Sequence, residues 1–428
     1  MPLILPRPGR LAAVNALRPA LSLRFADSGI LDSRISYSGG ANRTYFDASG
    51  VLQDSSTNAI RFDHDGSGTP LGISDWEQRI NVALQSEALG TTWTIPGANT
   101  TITDNAGVAP DGATTAEDVK HDDAAETVQQ TITATDNTVY TISAFVKQGS
   151  TGSHDFVKMS WIDQSAGDNG FEAWFNISTG AVGTAQATGT GSYTASSATI
   201  TDVGSGWYRI SATGQIVTGQ TDARFEIINT TADGVDTAEA TNSVFWWGLQ
   251  AEIGTGASPY IRTTVAAVTA TADVATMLVS AFDFNVNAGT VLFRGRTSTL
   301  ADASTHKALW NLSDGSTSDQ VWAHIEDTSD KITASIYRGG FQMNDRSVGT
   351  VSNDTEFSHV MAWAANDGAH TLNGETVRTD TSITIPIGIS DFDIGHRWDN
   401  SSPINGTIAL IEYYNTRLPD GVLIGLTA

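Results

Sequence analysis

The sequence predicts an all-β protein: two tandem antiparallel β-sandwiches of jelly-roll type, preceded by a short irregular β region at the N-terminus. Three observations carry that prediction. Thr, Ser, Gly, Ala and Asn crowd the chain while charged residues are held to 16%, the composition of short strands and tight turns. Apolar residues alternate over short runs separated by Gly, Asn and Asp turn signals. A length of 428 residues suffices for two or three domains, each with its own core.

The chain is organised around Ser243 to Thr264, SVFWWGLQAEIGTGASPYIRTT. Val244, Trp246 and Gly248 should point one way and Phe245, Trp247 and Leu249 the other. Both faces carry large side chains, which predicts a central strand covered on both sides. Pro259 cannot donate to a ladder, so the strand should end before it and Ser258 to Arg262 should lead out of the domain.

In chain order, residues 1–80 form a first region whose short alternating runs are too polar to bury much alone. Its first 24 residues hold Arg7, Arg10, Arg18 and Arg24 and no acid, against a whole-chain charge of -24. That basic arm is read as a docking element for an acidic partner. Residues 81–265 follow with roughly eight to ten strands at sandwich spacing, among them Val139 to Gly149, Phe156 to Ile162, Phe171 to Phe175 and Ala223 to Ile228. Residues 266–274 read as a linker or a single crossing strand. Residues 275–428 give a second sandwich, with Asn373-Gly374 as a hairpin turn.

Composition excludes several functions. The acidity disfavours nucleic acid and anionic lipid as partners. Zero cysteines rules out disulfides, thiolate metal sites and a Cys nucleophile. No apolar run reaches the ~20 residues that cross a bilayer as a helix. No G-x-S-x-G elbow or H-E-x-x-H helix is present, and the eight histidines are scattered singly. Glu326 and Asp327 point to opposite faces, while Asp391 and Asp393 share a face but lack a third acid, so no catalytic residue is assigned. No cofactor is assigned either, although Asp163, Asp168 and Asn169 offer oxygens to Ca²⁺.

Sugar binding needs flat aromatics rimmed by polar side chains. Trp161, Asp163, Gln164, Trp174 and Asn176 on successive strands could form such a platform, although Trp161 and Trp174 fit a core better. The turn-rich segment Gly395 to Asn400 gathers His396, Arg397, Trp398, Asp399 and Asn400, a second candidate.

Trp247, Gly248, Gln250, Glu252, Gly254, Ser258, Tyr260 and Ile261 resemble the closing strand and exit of a carbohydrate-binding-module-like jelly roll found in bacteriophage tail fibre and receptor-binding proteins. The order LDxRISYS, TYFDxxG, AIRFDHD and Glu77 to Arg79 resembles the leader of such tail proteins. Gly406, Glu412, Tyr414, Asn415 and Leu418 resemble the last strands of concanavalin A-like or laminin-G-like sandwiches. The resemblance implies a virion protein of the phage tail that acts at the outside of the host cell. It also implies a homotrimer that docks to tail or baseplate proteins through residues 1–80 and recognises a host surface, with glycan the ligand expected from the carbohydrate-binding-module likeness and the aromatic candidates above. A purely structural virion component, a polysaccharide depolymerase and a bacterial surface adhesin are the alternatives.

Overall fold

The computed structural model describes residues 18–97, 99–165, 169–189, 193–216, 219, 221–300 and 306–428. Among them the chain is built of antiparallel sheets with two short helices, and it divides into two compact units. Gly39–Pro70 and Glu77–Asp273 form a middle unit. Residues up to Ser38, Leu71–Trp76 and Val274–Ala428 form a C-terminal unit. The expected separate region at 1–80 is thus shared out between the two units. The physical reason is the one that made it look dependent: its strands are three to six residues long and bury apolar surface only by joining or packing on larger sheets.

In the middle unit, a six-stranded sheet runs Tyr193–Asp202, Tyr208–Ile216, Thr138–Gln148, Val244–Ile253, Thr114–His121, Thr100–Val108. A five-stranded sheet runs Val128–Thr133, Asp222–Thr230, Phe156–Asp163, Gly170–Asn176, Ala181–Thr188. Residues from both sheets share one core: Val146, Trp246 and Ile210 from the first, Val157, Trp161 and Phe225 from the second. Trp93 plugs its end, edge-on to Phe225 at 5.4 Å.

Val244–Ile253 is central and covered on both faces, with Trp246 and Trp247 both fully buried. Its alternation breaks at Gly248. There φ is +62°, and two residues stand opposite one between Ser143 and Phe145 of the neighbouring strand. This bulge reverses the facing downstream. Leu249 therefore joins Trp246 in the main core, while Trp247 lies with Phe145, Trp207 and Tyr260 in a second cluster. A Cβ at 248 would meet Phe145 at 2.9 Å, so glycine is needed on both counts.

Ser258 to Arg262 does not leave the domain. Ser258 donates to Glu252 at 2.7 Å, the Tyr260 hydroxyl meets Ser86 at 2.6 Å and Glu87 at 2.9 Å, and Arg262 pairs with Glu87 and Asp111. Part of the presumed linker, Val268–Ala270, pairs with Arg79–Asn81, and the buried Asp273 holds the buried Arg61 at 2.5 Å.

In the C-terminal unit, a seven-stranded sheet runs Ser36–Ser38, Val274–Leu278, Asp391–Ile394, Lys307–Ser313, Gln320–Ile325, Lys331–Arg338, Phe341–Thr350. The facing sheet runs Arg378–Asp380, Asp367–Leu372, Phe357–Ala364, Ala288–Thr297, Gly406–Tyr414. Leu21–Leu23 and the segment Ile73 to Asp75 both pair along the free edge of Gly406–Tyr414. Trp310, Trp363, Phe392 and Tyr413 meet between the sheets. Asn373 and Gly374 both take positive φ, as a two-residue hairpin turn requires. The helix Asp420–Thr427 closes the unit by seating Leu423 against Val360, Ala362 and Ala369.

Candidate functional site

Alternation along Gln320–Ile325 fixes what each face of the seven-stranded sheet carries. Val321, Ala323 and Ile325 stand opposite Ile336, Ala334 and Ile332 and fill the interior, so Gln320, Trp322 and His324 point to the outer face. The register then lines up Asp393, Asn311, Trp322 and Ser335 across four neighbouring strands. All four are buried, which is unusual for the outer face of a sandwich.

The turn after Asp391–Ile394 leans over this row. Asn400 donates its backbone N–H to the Arg397 carbonyl and takes positive φ, and the Trp398 N–H donates to Asn311 Oδ1 at 3.1 Å. The Arg397 guanidinium lies over the Trp322 ring, 5.3 Å from its centroid. His324 stacks on Trp322 at 3.8 Å with an interplanar angle of 17°. The His306 ring is 4.6 Å from that of His324, and its Nδ1 is 3.8 Å from Asp327. Asn311 also donates to Gln320 Oε1 at 3.1 Å.

Electrostatics follow from burial and crowding. Burial, reinforced by Asp391 and Asp399, pushes the Asp393 carboxyl up to about 7. Burial, then His306 and Arg397, push His324 well below its usual value, so its ring is neutral. Burial works to raise Asp399 too, but bonds from Ser401 and the nearby Arg397 hold it below its usual value.

The distinguishing property is unmet hydrogen bonding. Gln320 Nε2, Trp322 Nε1, His324 Nδ1, Arg397 Nε, Trp398 Nε1 and Asp393 Oδ2 are buried and have no hydrogen-bond partner. Each such group costs about 1–3 kcal/mol until something satisfies it. An aromatic floor with several N–H donors and one carboxylate oxygen suits a ligand rich in hydroxyl and carbonyl oxygens.

Of the residues expected to bind, Arg397, Trp398 and Asp399 belong to this site. His396, next to them, does not: it is fully buried and bonded to the backbone of Ala275 and Arg397. Asn311, Gln320, Trp322, His324 and Asp393 were not expected. The only signal for them was the polar phase of VWAHI and the shared face of Asp391 and Asp393.

The platform expected on the middle unit does not form. Trp161 points into the core and stacks on Tyr140 at 4.7 Å, because it shares the phase of Val157 and Met159. Asp163 is buried at the strand end, accepting from Ser165 N at 2.7 Å and Oγ at 2.6 Å. Trp174 points to the opposite face of the sheet from Trp161, where Lys158 lies 5.2 Å above it and its Nε1 donates to the Val235 carbonyl. Gln164 and Asn176 serve local bonds, Asn176 capping Ser178 and Thr179. Asp168 lies outside the described residues, and among those no group of three or more His, Asp or Glu is placed to hold a metal ion.

Arg7 and Arg10 also lie outside the described residues, and Arg18 is exposed. Arg24 is exposed but already holds carboxylate partners. It pairs with Glu412 at 2.9 Å and Asp27 at 3.3 Å within its own unit, because Leu21–Leu23 brings it beside Gly406–Tyr414.

No protein-family model matches the sequence, and no curated protein matches it. Among solved structures, one similar chain is the CBM40 of Ruminococcus gnavus IT-sialidase bound to alpha2,3 sialyllactose. It has a TM-score of 0.30 and 16% identity, over 34% of this chain and 84% of that one. Another is the CBM22-1-CBM22-2 tandem of Paenibacillus barcinonensis Xyn10C, at TM-score 0.26 and 9% identity, over 78% of this chain and 98% of that one. A third is mouse laminin alpha1 LG4-5, at TM-score 0.24 and 8% identity, over 74% of this chain and 89% of that one.

Proposed function

We propose that this protein is a surface-recognition component of a bacteriophage tail, in a fibre, spike or baseplate-associated position, and that it binds host glycan without cleaving it. The observation that carries the glycan reading is the outer face around Trp322, where six buried polar atoms with no partner gather beside stacked aromatics. A pyranose can lay its apolar face on the half-exposed Trp398 and turn its hydroxyls to the exposed Asp399 and Asn400 beside it, above those buried polar atoms. Asp391 and Asp399 crowd Asp393, and Asp399 lies near Arg397, so acids outnumber the one cation and a neutral sugar suits this face better than an acidic one.

The tail assignment, the homotrimer and the extracellular place of action rest on the sequence resemblance. Several copies on one particle would add weak sites through avidity. The test is binding of the full chain to a neutral-glycan array and to host cells, with Trp398→Ala as the site control. Unchanged binding by that variant removes the site, and release of reducing ends from host polysaccharide would turn the reading to a depolymerase. Incorporation of the chain into virions, and its mass by light scattering, test the tail and trimer assignments.

A further inference from the structure

A second cleft in the C-terminal unit lies where the edge strands Phe341–Thr350 and Arg378–Asp380 of its two sheets run close. It encloses about 820 Å³ and is lined by Lys331, Ser347, Gly349, Thr350, Glu375 and Arg378, among others. We propose that this cleft binds the anionic group, carboxylate or sulfate, of a small acidic saccharide.

The first argument is charge. The chain has 47 acidic residues against 23 basic ones, so carboxylates are plentiful partners for its cations. Arg24, Arg61, Arg79, Lys158, Arg262, Arg338 and Arg417 are all paired in this way. Among the described residues Lys331 and Arg378 have no ion pair and no side-chain hydrogen bond, yet both line the same cleft. Glu375 lines it too and stands beyond pairing distance of either cation. Two unpaired cations against the single Glu375 give this cleft a net positive lining in an acidic protein. A guanidinium fork beside an ammonium is the usual reading head for a carboxylate or sulfate.

The second argument is space. Gly349 sits in an extended strand without positive φ, so its backbone does not require glycine. A Cβ there would come 2.9 and 3.0 Å from the Glu375 carboxylate oxygens and 3.1 Å from Leu372 Cδ2. Glycine at 349 leaves room for the Glu375 carboxylate beside this strand. The volume suits one or two sugar rings. The Glu375 carboxylate and the Thr350 and Thr376 hydroxyls can meet sugar hydroxyls while the cations hold the anion.

This site is separate from the face at Trp322 and does not depend on it. The test is calorimetric titration of the full chain at low salt with trigalacturonate, its methyl ester and a sulfated heparin disaccharide. Trigalacturonate or the disaccharide should bind, their relative affinities distinguishing carboxylate from sulfate, and the ester should bind about tenfold more weakly than the acid. Arg378→Ala should weaken acid binding about tenfold, and Gly349→Val should do so without any change of charge. Trp398→Ala should leave it unchanged. Equal binding of acid and ester overturns the proposal, as does undiminished binding in a Lys331→Ala/Arg378→Ala double variant. Loss with Trp398→Ala would transfer the ligand to the Trp322 face, and no binding of any probe overturns it too.

Discussion

On the outer face of the five-stranded sheet, polar side chains satisfy one another. Lys158 pairs with Glu172 at 3.2 Å and Asp236 at 2.6 Å, Ser160 donates to Glu226, Gln186 donates to Glu172, and Trp174 donates to a carbonyl. On the outer face of the seven-stranded sheet, Gln320, Trp322, His324, Arg397, Trp398 and Asp393 each keep a polar atom without a partner. Both faces carry tryptophan and charge, and composition does not tell them apart. The difference teaches that closure of the hydrogen-bond network, rather than the presence of an aromatic, separates a structural sheet face from a receptive one.

Perturbing both faces should expose that contrast. The largest effect is expected from Lys158→Met, which leaves Glu172 buried with its cation gone. It should cost about 3–5 kcal/mol in denaturant unfolding of the full chain, and a loss under 1 kcal/mol would mean the network is not closed. Asp393→Asn should act in the opposite direction, and only at higher pH. Its folded pKa of about 7 stands above the ~3.9 of an unfolded Asp, so the native state holds the proton more tightly. Below about pH 4 both states are protonated and the group costs nothing. Stability then falls as pH rises to about 7 and stays low beyond. The variant should therefore gain up to about 4 kcal/mol at pH 8 and nothing at pH 4, read from unfolding midpoints across pH.

Smaller effects concern single side chains. Trp398→Ala, on a half-exposed turn, should leave unfolding nearly unchanged and weaken neutral-glycan binding by about 1–2 kcal/mol. Trp322→Phe keeps a ring under Arg397 and deletes an unpartnered N–H. It should be neutral or stabilising by about 1 kcal/mol without ligand and should weaken binding with it. A loss above about 3 kcal/mol, more than the smaller ring's missing volume accounts for, would show that the indole N–H is already satisfied.

Much of the fold was legible because strands with one buried face advertise it. Val139 to Gly149 and Phe156 to Ile162 were readable by alternation, and Asn373-Gly374 by turn chemistry. Thr100–Val108, Ala181–Thr188 and Tyr193–Asp202 were not, since they lie at sheet edges and are built largely of Thr, Ala, Ser and Gly with little apolar phase. Leu249 was placed on the wrong face because a bulge at Gly248 leaves no mark beyond a glycine. The site was half legible. His396 to Asn400 stood out as a charged aromatic turn, but its floor comes from Asn311, Gln320, Trp322 and Asp393, which only the strand register brings together.

The free edge of Gly406–Tyr414 is covered by two strands from the start of the chain, Leu21–Leu23 against Ile411 to Tyr413 and Ile73 to Asp75 against Gly406 to Ile408. During synthesis those strands must wait for a partner encoded hundreds of residues downstream, while the middle unit has all of its residues available well before it. A fragment beginning near residue 275 would lack both covers and expose a raw sheet border prone to sticking. Stalled or shortened products would lack Gly406–Tyr414 itself, so only a chain translated through it can finish the sandwich that carries both candidate ligand sites.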